Sequence, residues 1–563
     1  MNVLGLSYNF HDSAACLVRG GVPVAAAEEE RFSRLKHDSR FPAFAIEYCL
    51  REGSIDVSDL DAIAFYEKPA LKLERALVTA KEFAPASTAN LAAQFPVLVD
   101  EGVNVESAIR GRLGFDGPVY FCEHHLSHAA SAFYASPFQE AAILTADGVG
   151  EWAACAQFFG TGTTIEKWRE IHYPHSLGLL YSALTAYLGF RVNDDEYKVM
   201  GLASYGNPKF RKEIEQLITL HEDGSFSLSL PYFSFMYSNE SMCSAEMERL
   251  LGEPRRKGAP ITERHRDIAA SLQEVTEDAM VSLARSMRGR CKSSNLCMAG
   301  GVAYNCVSNS KVMKRAGFER VFIQPAAGDS GCAIGAALWA SHEVLGVSRH
   351  NGAYSTLLGP SFSEAEIADK LKAFDLSYER FEEGELCERV AALIHNDLII
   401  GWFQNRMEFG PRALGSRSII GNPCSPDMKD ILNARVKFRE EFRPFAPAII
   451  EEAAGEYFEI EGTSPYMLFT PMVRSLQADR IPSVTHVDGT ARVQTVSASE
   501  QPLFHRLITE FGKLSGVPII INTSFNVRGE PIVCSAEDAI KCFLGTDIDF
   551  LVIGPFIVNK VWT

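Results

Sequence analysis

A chain of 563 residues is too long for a single ordinary core, so two or more domains are expected. Its composition, 47% apolar and 22% charged, is that of a globular protein, and a net charge of −17 excludes broad electrostatic binding of nucleic acid or of an anionic membrane. Thirteen cysteines without a CxxC pair argue for reduced thiols and against a disulfide framework or a zinc ribbon.

The chain opens Met1-Asn2-Val3-Leu4-Gly5-Leu6, which reads as a first strand rather than a signal peptide, because no basic stretch precedes a long apolar run. Strands are expected at 3–6 and 14–18 around the loop Ser7-Tyr8-Asn9-Phe10-His11-Asp12-Ser13. Residues 22–28 follow a Gly20-Gly21 turn, as a hairpin partner would. A helix over 41–51 starts at Pro42, and 62–65 is a further strand. Residues 83–99 come closest to a membrane span but carry Pro85, Pro96 and several polar residues. The expected setting is the cytoplasm, with no membrane partner.

The pattern returns at Ala141, with strands over 142–146, 152–159 and 164–171 separated by glycine turns. Two halves that each open with a strand, an Asp- or His-bearing turn and a hairpin suggest internal duplication. Residues 223–262 read as an insertion with no assignable role. Helical spacing covers 266–288 through Ile268, Leu272, Val275, Met280 and Leu283. A short strand at 295–298 leads through Ala299-Gly300-Gly301 into a helix from about 302 to 315. The Gly- and Ser-rich stretch 344–362, with Pro360, marks a boundary and gives domains of 1–350 and 351–563. Helices at 364–373 and 386–396 and strands at 399–403, 446–450, 492–496 and 518–521 make the second domain mixed α/β as well.

Chemistry concentrates first in His124-His125-Leu126-Ser127-His128. His124 and His128, four apart, share one helix face and can point into one site. Asp147 ends an apolar strand at Asp147-Gly148-Val149-Gly150, and Asp329 follows another apolar run in Gly328-Asp329-Ser330-Gly331. Two imidazoles and two carboxylates form a mixed nitrogen and oxygen set suited to iron, manganese or zinc. A plain surface helix and strand-ending turn is the alternative. Glycine turns at Gly148, Gly300-Gly301 and Gly328 to Gly331 would aim backbone N–H groups at phosphates. Glycine in such a turn also serves geometry alone, but three turns beside a histidine pair favour a nucleotide and metal site.

This layout resembles the superfamily of actin, Hsp70 chaperones and sugar kinases, in which two duplicated α/β halves clamp ATP. The runs His11-Asp12-Ser13-Ala14-Ala15, Glu28-Glu29-Glu30-Arg31-Phe32-Ser33-Arg34 with Lys36-His37, His175-Ser176-Leu177-Gly178, Glu196-Tyr197-Lys198-Val199-Met200-Gly201 and Ala299-Gly300-Gly301-Val302-Ala303-Tyr304-Asn305 resemble those of the bacterial O-carbamoyltransferases of nodulation and antibiotic tailoring (the NodU/CmcH/TobZ family). The resemblance spans essentially the whole chain. It implies an N-terminal domain similar to threonylcarbamoyl-adenylate-using enzymes, with iron(II) or a similar divalent metal held by His124, His128, Asp147 and Asp329. His125 faces elsewhere. His11 falls near the acceptor hydroxyl, where an imidazole of near-neutral pKa can act as general base. Lys198 and Glu196 fall near the nucleotide, whose site would take in Asp147, Gly148, Gly300, Gly301 and Asn305.

Residues 401 to 450 hold eight Lys or Arg against five Asp or Glu, a local excess of positive charge in an acidic chain. Arg435, Lys437 and Arg439 alternate, as on one face of an extended segment. Converging arginines can hold a phosphoanhydride, although a charge run is commonly a solvated face. The interleaved glycines, prolines and aromatics of 408–417 are unlike an exposed helix. The resemblance implies a YrdC-like α/β domain that cleaves carbamoyl phosphate. Its ligand positions fall on Arg412, Lys437, Arg443, Arg492 and Arg528, with Lys437 and Arg443 catalytic and Asn522 and Ser524 orienting the carbamoyl group.

The implied reaction is ATP-dependent O-carbamoylation. Carbamate released from carbamoyl phosphate is adenylated with ATP and Mg2+, and the carbamoyl adenylate is transferred to a hydroxyl of a small molecule or glycoside. A small-molecule kinase on the actin-like fold is the main alternative, but it gives the histidine pair and the basic domain no role. An Hsp70-like interaction protein would not carry an arginine-rich α/β domain. Modification of tRNA is disfavoured by the negative charge. A homodimer is the default assembly.

Overall fold

In the computed structural model the first polar turn is preceded by β1 (Asn2–Ser7), buried beyond its first residue. The structure describes residues 1–350, 352–440 and 442–560; the first and last positions of the expected second domain lie outside the described residues. Gly20 and Gly21 take φ of 57° and 82°, which lets β2 (Ala14–Arg19) turn tightly into β3 (Val22–Glu28). β4 (Ala62–Phe65) and β5 (Val119–Phe121) continue the sheet in parallel on the other side of β1, in the order β3-β2-β1-β4-β5.

The same construction follows. β6 (Glu140–Ala146), β7 (Ala153–Thr161) and β8 (Thr164–His172) form an antiparallel meander. A two-stranded ladder of β9 (Ile218–Leu220) and β10 (Phe226–Leu228) intervenes in and before the stretch expected to be an insertion. β11 (Asn295–Ala299) and β12 (Arg320–Ile323) then join β6 in parallel, giving β12-β11-β6-β7-β8. Order and strand senses match the first sheet position for position, so the internal duplication is real. The helix expected over 302–315 is broken. Gly301–Tyr304 forms a 3-10 turn, Asn305 caps the next helix by accepting the Ser308 N–H at 3.0 Å, and the α-helix runs Cys306–Arg315.

Two helices bring the candidate ligands together, His124–Phe133 and Asp329–Trp339. Their backbones meet at Gly335, where a Cβ would stand 1.8 Å from the Ser127 carbonyl oxygen and 3.0 Å from the Ser131 nitrogen. The aspartate helix also closes on β1, since a Cβ on Gly5 would fall 1.9 Å from the Ala333 oxygen. Only the small residues of Gly-Cys-Ala-Ile-Gly-Ala-Ala permit such contact at interior packing density.

The chain divides into two compact units, Met1–Glu29 with Ser39–Tyr354, and Glu30–Asp38 with Ser355–Thr563. The segment Glu30–Asp38 therefore departs from the contiguous 1–350 domain expected. The second unit is built on β13 (Tyr378–Arg380), β14 (Ile400–Phe403), β15 (Arg417–Gly421), β16 (Ala446–Ile450), β17 (Gln494–Val496), β18 (Ile519–Ser524), β19 (Phe550–Ile553) and β20 (Phe556–Asn559). They form one mixed sheet, ordered β13-β20-β19-β14-β15-β18-β16-β17. Alternate residues serve two cores: Phe403, Ile519 and Ile521 on one face, Ile400, Trp402 and Ile520 on the other. Burial on both faces explains the near-continuous apolar runs. The fold class is α/β in both units.

The extended segment expected at Arg435 to Arg439 is instead helical. Met428–Leu432 continues into a wide turn, Asn433–Lys437, which stops at Phe438 with φ of 47°. The three basic side chains consequently part. Arg435 reaches Asp549 at 3.6 Å, Lys437 turns inward, and the Arg439 guanidinium lies 4.4 Å from the Phe445 ring centre. All thirteen cysteines are free thiols, and no helix among the described residues is long and apolar enough to cross a membrane.

Gly335→Ala is expected to lower stability by about 1–3 kcal/mol, because its methyl group meets backbone rather than a movable side chain. Gly111→Ala, which meets nothing within 4 Å, serves as the control in chemical denaturation.

Candidate active site

The histidine helix has no side-chain cap at Glu123; its N-terminus is held by Glu151 instead. Both Glu151 carboxylate oxygens accept the His124 N–H, at 3.0 and 3.1 Å, and one also accepts the Lys68 N–H at 2.8 Å. A carboxylate there complements the helix dipole. One turn separates His124 from His128, and their Nε2 atoms lie 3.1 Å apart. Asp147 Oδ2 is 3.3 Å from His124 Nε2 and 2.9 Å from His128 Nε2; Asp329 Oδ1 is 3.8 and 3.5 Å from the same atoms. One donor atom from each of the four residues lies within 4.8 Å of every other. The structure thus brings the four sequence-predicted residues together.

The donor set suits a divalent transition metal in kind and in spacing. Atoms bound at about 2.0–2.2 Å to one ion stand roughly 3 Å apart at right angles, and these pairs bracket that distance. Asp329 lies in the first turn of its helix, where the dipole favours a carboxylate. His125 stands outside the cluster, with Nδ1 2.7 Å from Thr145 Oγ1. Burial, with His124 and His128 beside it, pulls its imidazolium well below the usual range.

The other expected site residues of this unit have the following partners. The Gly148 and Gly301 N–H groups donate to Asp147 Oδ1 at 2.8 and 3.2 Å, and the Gly300 N–H donates to the Ala327 carbonyl at 2.8 Å. These N–H groups orient the aspartate and close the turn. Asn305 is engaged as a cap and with Gln273 at 2.9 and 3.0 Å. Lys198 pairs with Asp195 at 2.6 Å, and Glu196 accepts the Ser182 hydroxyl at 2.7 Å. His11 Nδ1 lies 3.0 Å from Asp12 Oδ2. Burial draws its imidazolium down, but Asp329, Asp12 and Asp147 outweigh this and hold it at about 9. With those carboxylates uncompensated His11 holds its proton at neutral pH.

In the second unit Lys437 is buried. Its Nζ donates to the Ser524 and Asn526 carbonyls, the latter at 3.0 Å, and to Asn526 Oδ1 at 2.9 Å. Burial and the nearby Arg439 and Arg443 pull the ammonium well below the lysine range. Asn522 donates to Gln494 Oε1 at 2.7 Å and to the Ala413 carbonyl at 3.2 Å, which places it beside Arg412 in sequence. Asn522 Oδ1 and Arg412 Nε are buried without a hydrogen-bond partner. An unmet buried polar atom costs about 1–3 kcal/mol, which is the penalty each of these two atoms carries here. Arg443 and Arg528 both face Glu440, at 3.8 and 3.5 Å, with Arg528 largely exposed. Arg492 is half-buried just before β17.

Several supporting residues escaped the sequence reading. Glu408 Oε1 accepts the N–H groups of Leu414 and Ser416 at 2.7 Å and of Arg417 at 3.3 Å, tying the loop that carries Arg412. Arg417 is fully buried, donates to the Gln404 and Pro360 carbonyls and stacks on Phe403 at 3.7 Å, so it is structural. Within the 30–38 segment Arg31 donates to the Gly410 carbonyl at 3.0 Å, Arg34 to those of Ile532 and Pro531, and Phe32 packs on Met407, Ile532 and Cys534. Asn526 lay in the Asn522-Thr-Ser-Phe-Asn526 motif and Glu151 next to Gly150, yet neither position has a distinctive spacing.

Comparison with known proteins places this geometry in a family. Residues 2–338 match the model for the carbamoyltransferase N-terminus and residues 391–560 that for the carbamoyltransferase C-terminus. The chain is 44% identical to an uncharacterized protein of Synechocystis over 99% of this chain and 97% of that one. It is 39% identical to the nodulation protein NolNO of Sinorhizobium fredii over 99% of this chain and 80% of the relative. With the nodulation protein NolO of Bradyrhizobium diazoefficiens it shares 40% identity over 78% of each chain. With both halves matched and two units of the expected α/β class, the chain belongs to the carbamoyltransferase family and is a carbamoyl-transferring enzyme.

Proposed function

We propose that this carbamoyltransferase is an ATP-dependent O-carbamoyltransferase that divides its chemistry between the two units. In the second unit carbamoyl phosphate and water yield carbamate and phosphate. In the first, a carbamate oxygen attacks the α-phosphorus of ATP, the bond to pyrophosphate breaks, and carbamoyl adenylate forms. An acceptor hydroxyl then attacks the carbamoyl carbon and AMP leaves with the bonding electrons. The observation that carries this reading is the convergence of His124, His128, Asp147 and Asp329 at the ends of the duplicated sheets.

These four residues would hold iron(II) or a similar divalent ion, which supplies positive charge for phosphate oxygens in a site of two carboxylates. Metal binding also bears on His11: with Asp147 and Asp329 compensated, two of the three carboxylates that keep its imidazole protonated weaken, Asp12 alone remaining beside it, and the ring is better able to take the acceptor's proton. The nucleotide is read as ATP with Mg2+, and Lys198 would have to exchange Asp195 for a phosphate to meet it. In the second unit Arg412, Arg443, Arg492 and Arg528 would hold the phosphate group. Their guanidinium forks stabilise charge that grows on the leaving phosphate. Asn522 and Ser524 would orient the carbamoyl group, with the unmet Asn522 Oδ1 accepting from its amide. Lys437, fixed between Ser524 and Asn526, lies at the same end of β18. The acceptor is a hydroxylated small molecule or glycoside.

Exchange of His128 for Ala is expected to abolish transfer, by 1,000-fold or more, while phosphate release from carbamoyl phosphate persists. Product mass spectrometry and a phosphate assay measure the two. Parallel loss of both in a folded protein would rule out the two-unit scheme, and ADP in place of AMP would indicate a kinase.

Arg412→Ala or Lys437→Met is expected to slow phosphate release by 100-fold or more. Excess ammonium carbamate should then restore AMP formation, read by nucleotide chromatography, because only the supply of carbamate has been lost.

A further inference from the structure

Cys332 has no part in the reaction above, yet its sulfur touches the candidate metal cluster's own framework. Cys332 Sγ lies 3.2 Å from His128 Nδ1, and both residues are fully buried. Cys332 stands three residues beyond Asp329 on the same helix, so one helical turn presents both groups to the histidine helix. Gly335, three residues further on, makes the backbone contact with Ser127 and Ser131 that sets the separation of the helices.

We infer that Cys332 is a positioning residue for the cluster: its sulfur accepts the Nδ1–H of His128 and thereby fixes the imidazole with its Nε2 lone pair toward Asp147 and Asp329. The inference rests on the metal reading given above. A neutral imidazole carries one N–H, so Nε2 can bind a metal only when Nδ1 holds the proton, and an acceptor for that proton fixes both the tautomer and the ring's orientation. Among the described residues the contact made by His128 Nδ1 is with the Cys332 sulfur. Cys332 is not itself a fifth ligand: its sulfur contacts Nδ1 rather than Nε2, and it falls outside the group of four donors that lie within 4.8 Å of one another. His124 is oriented differently. Its Nδ1 is buried without a hydrogen-bond partner, and its ring is clamped by Gly150, where a Cβ would stand 2.8 Å from it, and by Tyr66, with ring centres 5.4 Å apart. One histidine is therefore set by packing and the other by a sulfur acceptor.

The test uses the full chain stripped of metal by chelation, with Co2+ as the probe, followed by visible absorption and by competition with a chromophoric chelator. Wild type should bind one Co2+ per chain, and His128→Ala should not. Cys332→Ala should weaken binding 10- to 100-fold and shift the absorption bands, the usual penalty for loss of a partner behind a metal-bound histidine. Cys332→Ser, which retains an acceptor, should recover affinity to within a few fold. If Cys332→Ala fails to fold, as judged by circular dichroism, Cys332→Val provides similar volume without an acceptor. Wild-type affinity and spectrum in the Ala or Val variant would overturn the inference while leaving the metal reading intact. Absence of a one-to-one Co2+ site in wild type, or its survival in His128→Ala, would overturn the metal reading itself.

Discussion

The contact on which the first unit depends is backbone against backbone, where Gly335 of one helix meets the Ser127 carbonyl of another. Each helix brings acids or imidazoles that are costly to bury singly: His124, His128 and Asp329 are all within a few percent of complete burial. Buried ionisable groups persist only when they are paired or coordinate a metal. Close helix contact makes that possible by bringing one donor from each residue into a single cluster. Larger residues at Gly335 or Gly5 would move Asp329 away and leave both imidazoles without their second carboxylate.

Asp147 shows how the strands contribute. It follows β6, the central strand of the second sheet, and its two oxygens have different work. One faces the imidazoles; the other collects the N–H groups of Gly148 and Gly301. The glycines that resemble phosphate cradles in sequence therefore orient a carboxylate.

The second unit meets the opposite problem, a surplus of cations. It separates them. Arg417 is stacked and bound to carbonyls in the core, Lys437 is seated among four acceptor atoms of Ser524 and Asn526, and Arg443 and Arg528 share Glu440. Among the buried side-chain atoms of this unit without a hydrogen-bond partner are Arg412 Nε and Asn522 Oδ1, together with Glu408 Oε2, Asn433 Nδ2, His486 Nε2 and Gln501 Oε1. The 30–38 segment belongs to this unit and braces the loops on either side, through Gly410 on one and Pro531 and Ile532 on the other. A motif near the N-terminus thus packs against loops some four hundred or more positions later in the chain.

Much of the architecture was legible in the sequence because it is written in local periodicity. The hairpins at 14–28 and 153–172, the long helix Glu263–Arg290 and the i, i+4 histidines follow from apolar alternation, glycine turns and helical spacing. Carbamoyl-transfer chemistry was legible too, through motifs dispersed along the whole chain. The path of 433–439 was not, since alternating charge is compatible with a strand or with the wide helical turn found, and burial of Lys437 against β18 decides between them. Nor were the roles of Glu151, Glu408 and Cys332, which have partners distant in sequence. By itself the sequence determined which residue types were available and which short elements would carry them, because propensity and periodicity act over a few residues. Only the tertiary structure decided which glycine N–H groups face an aspartate, which histidine rests on a sulfur and which unit owns residues 30–38. Those outcomes depend on contacts between segments whose separation along the chain carries no local signal.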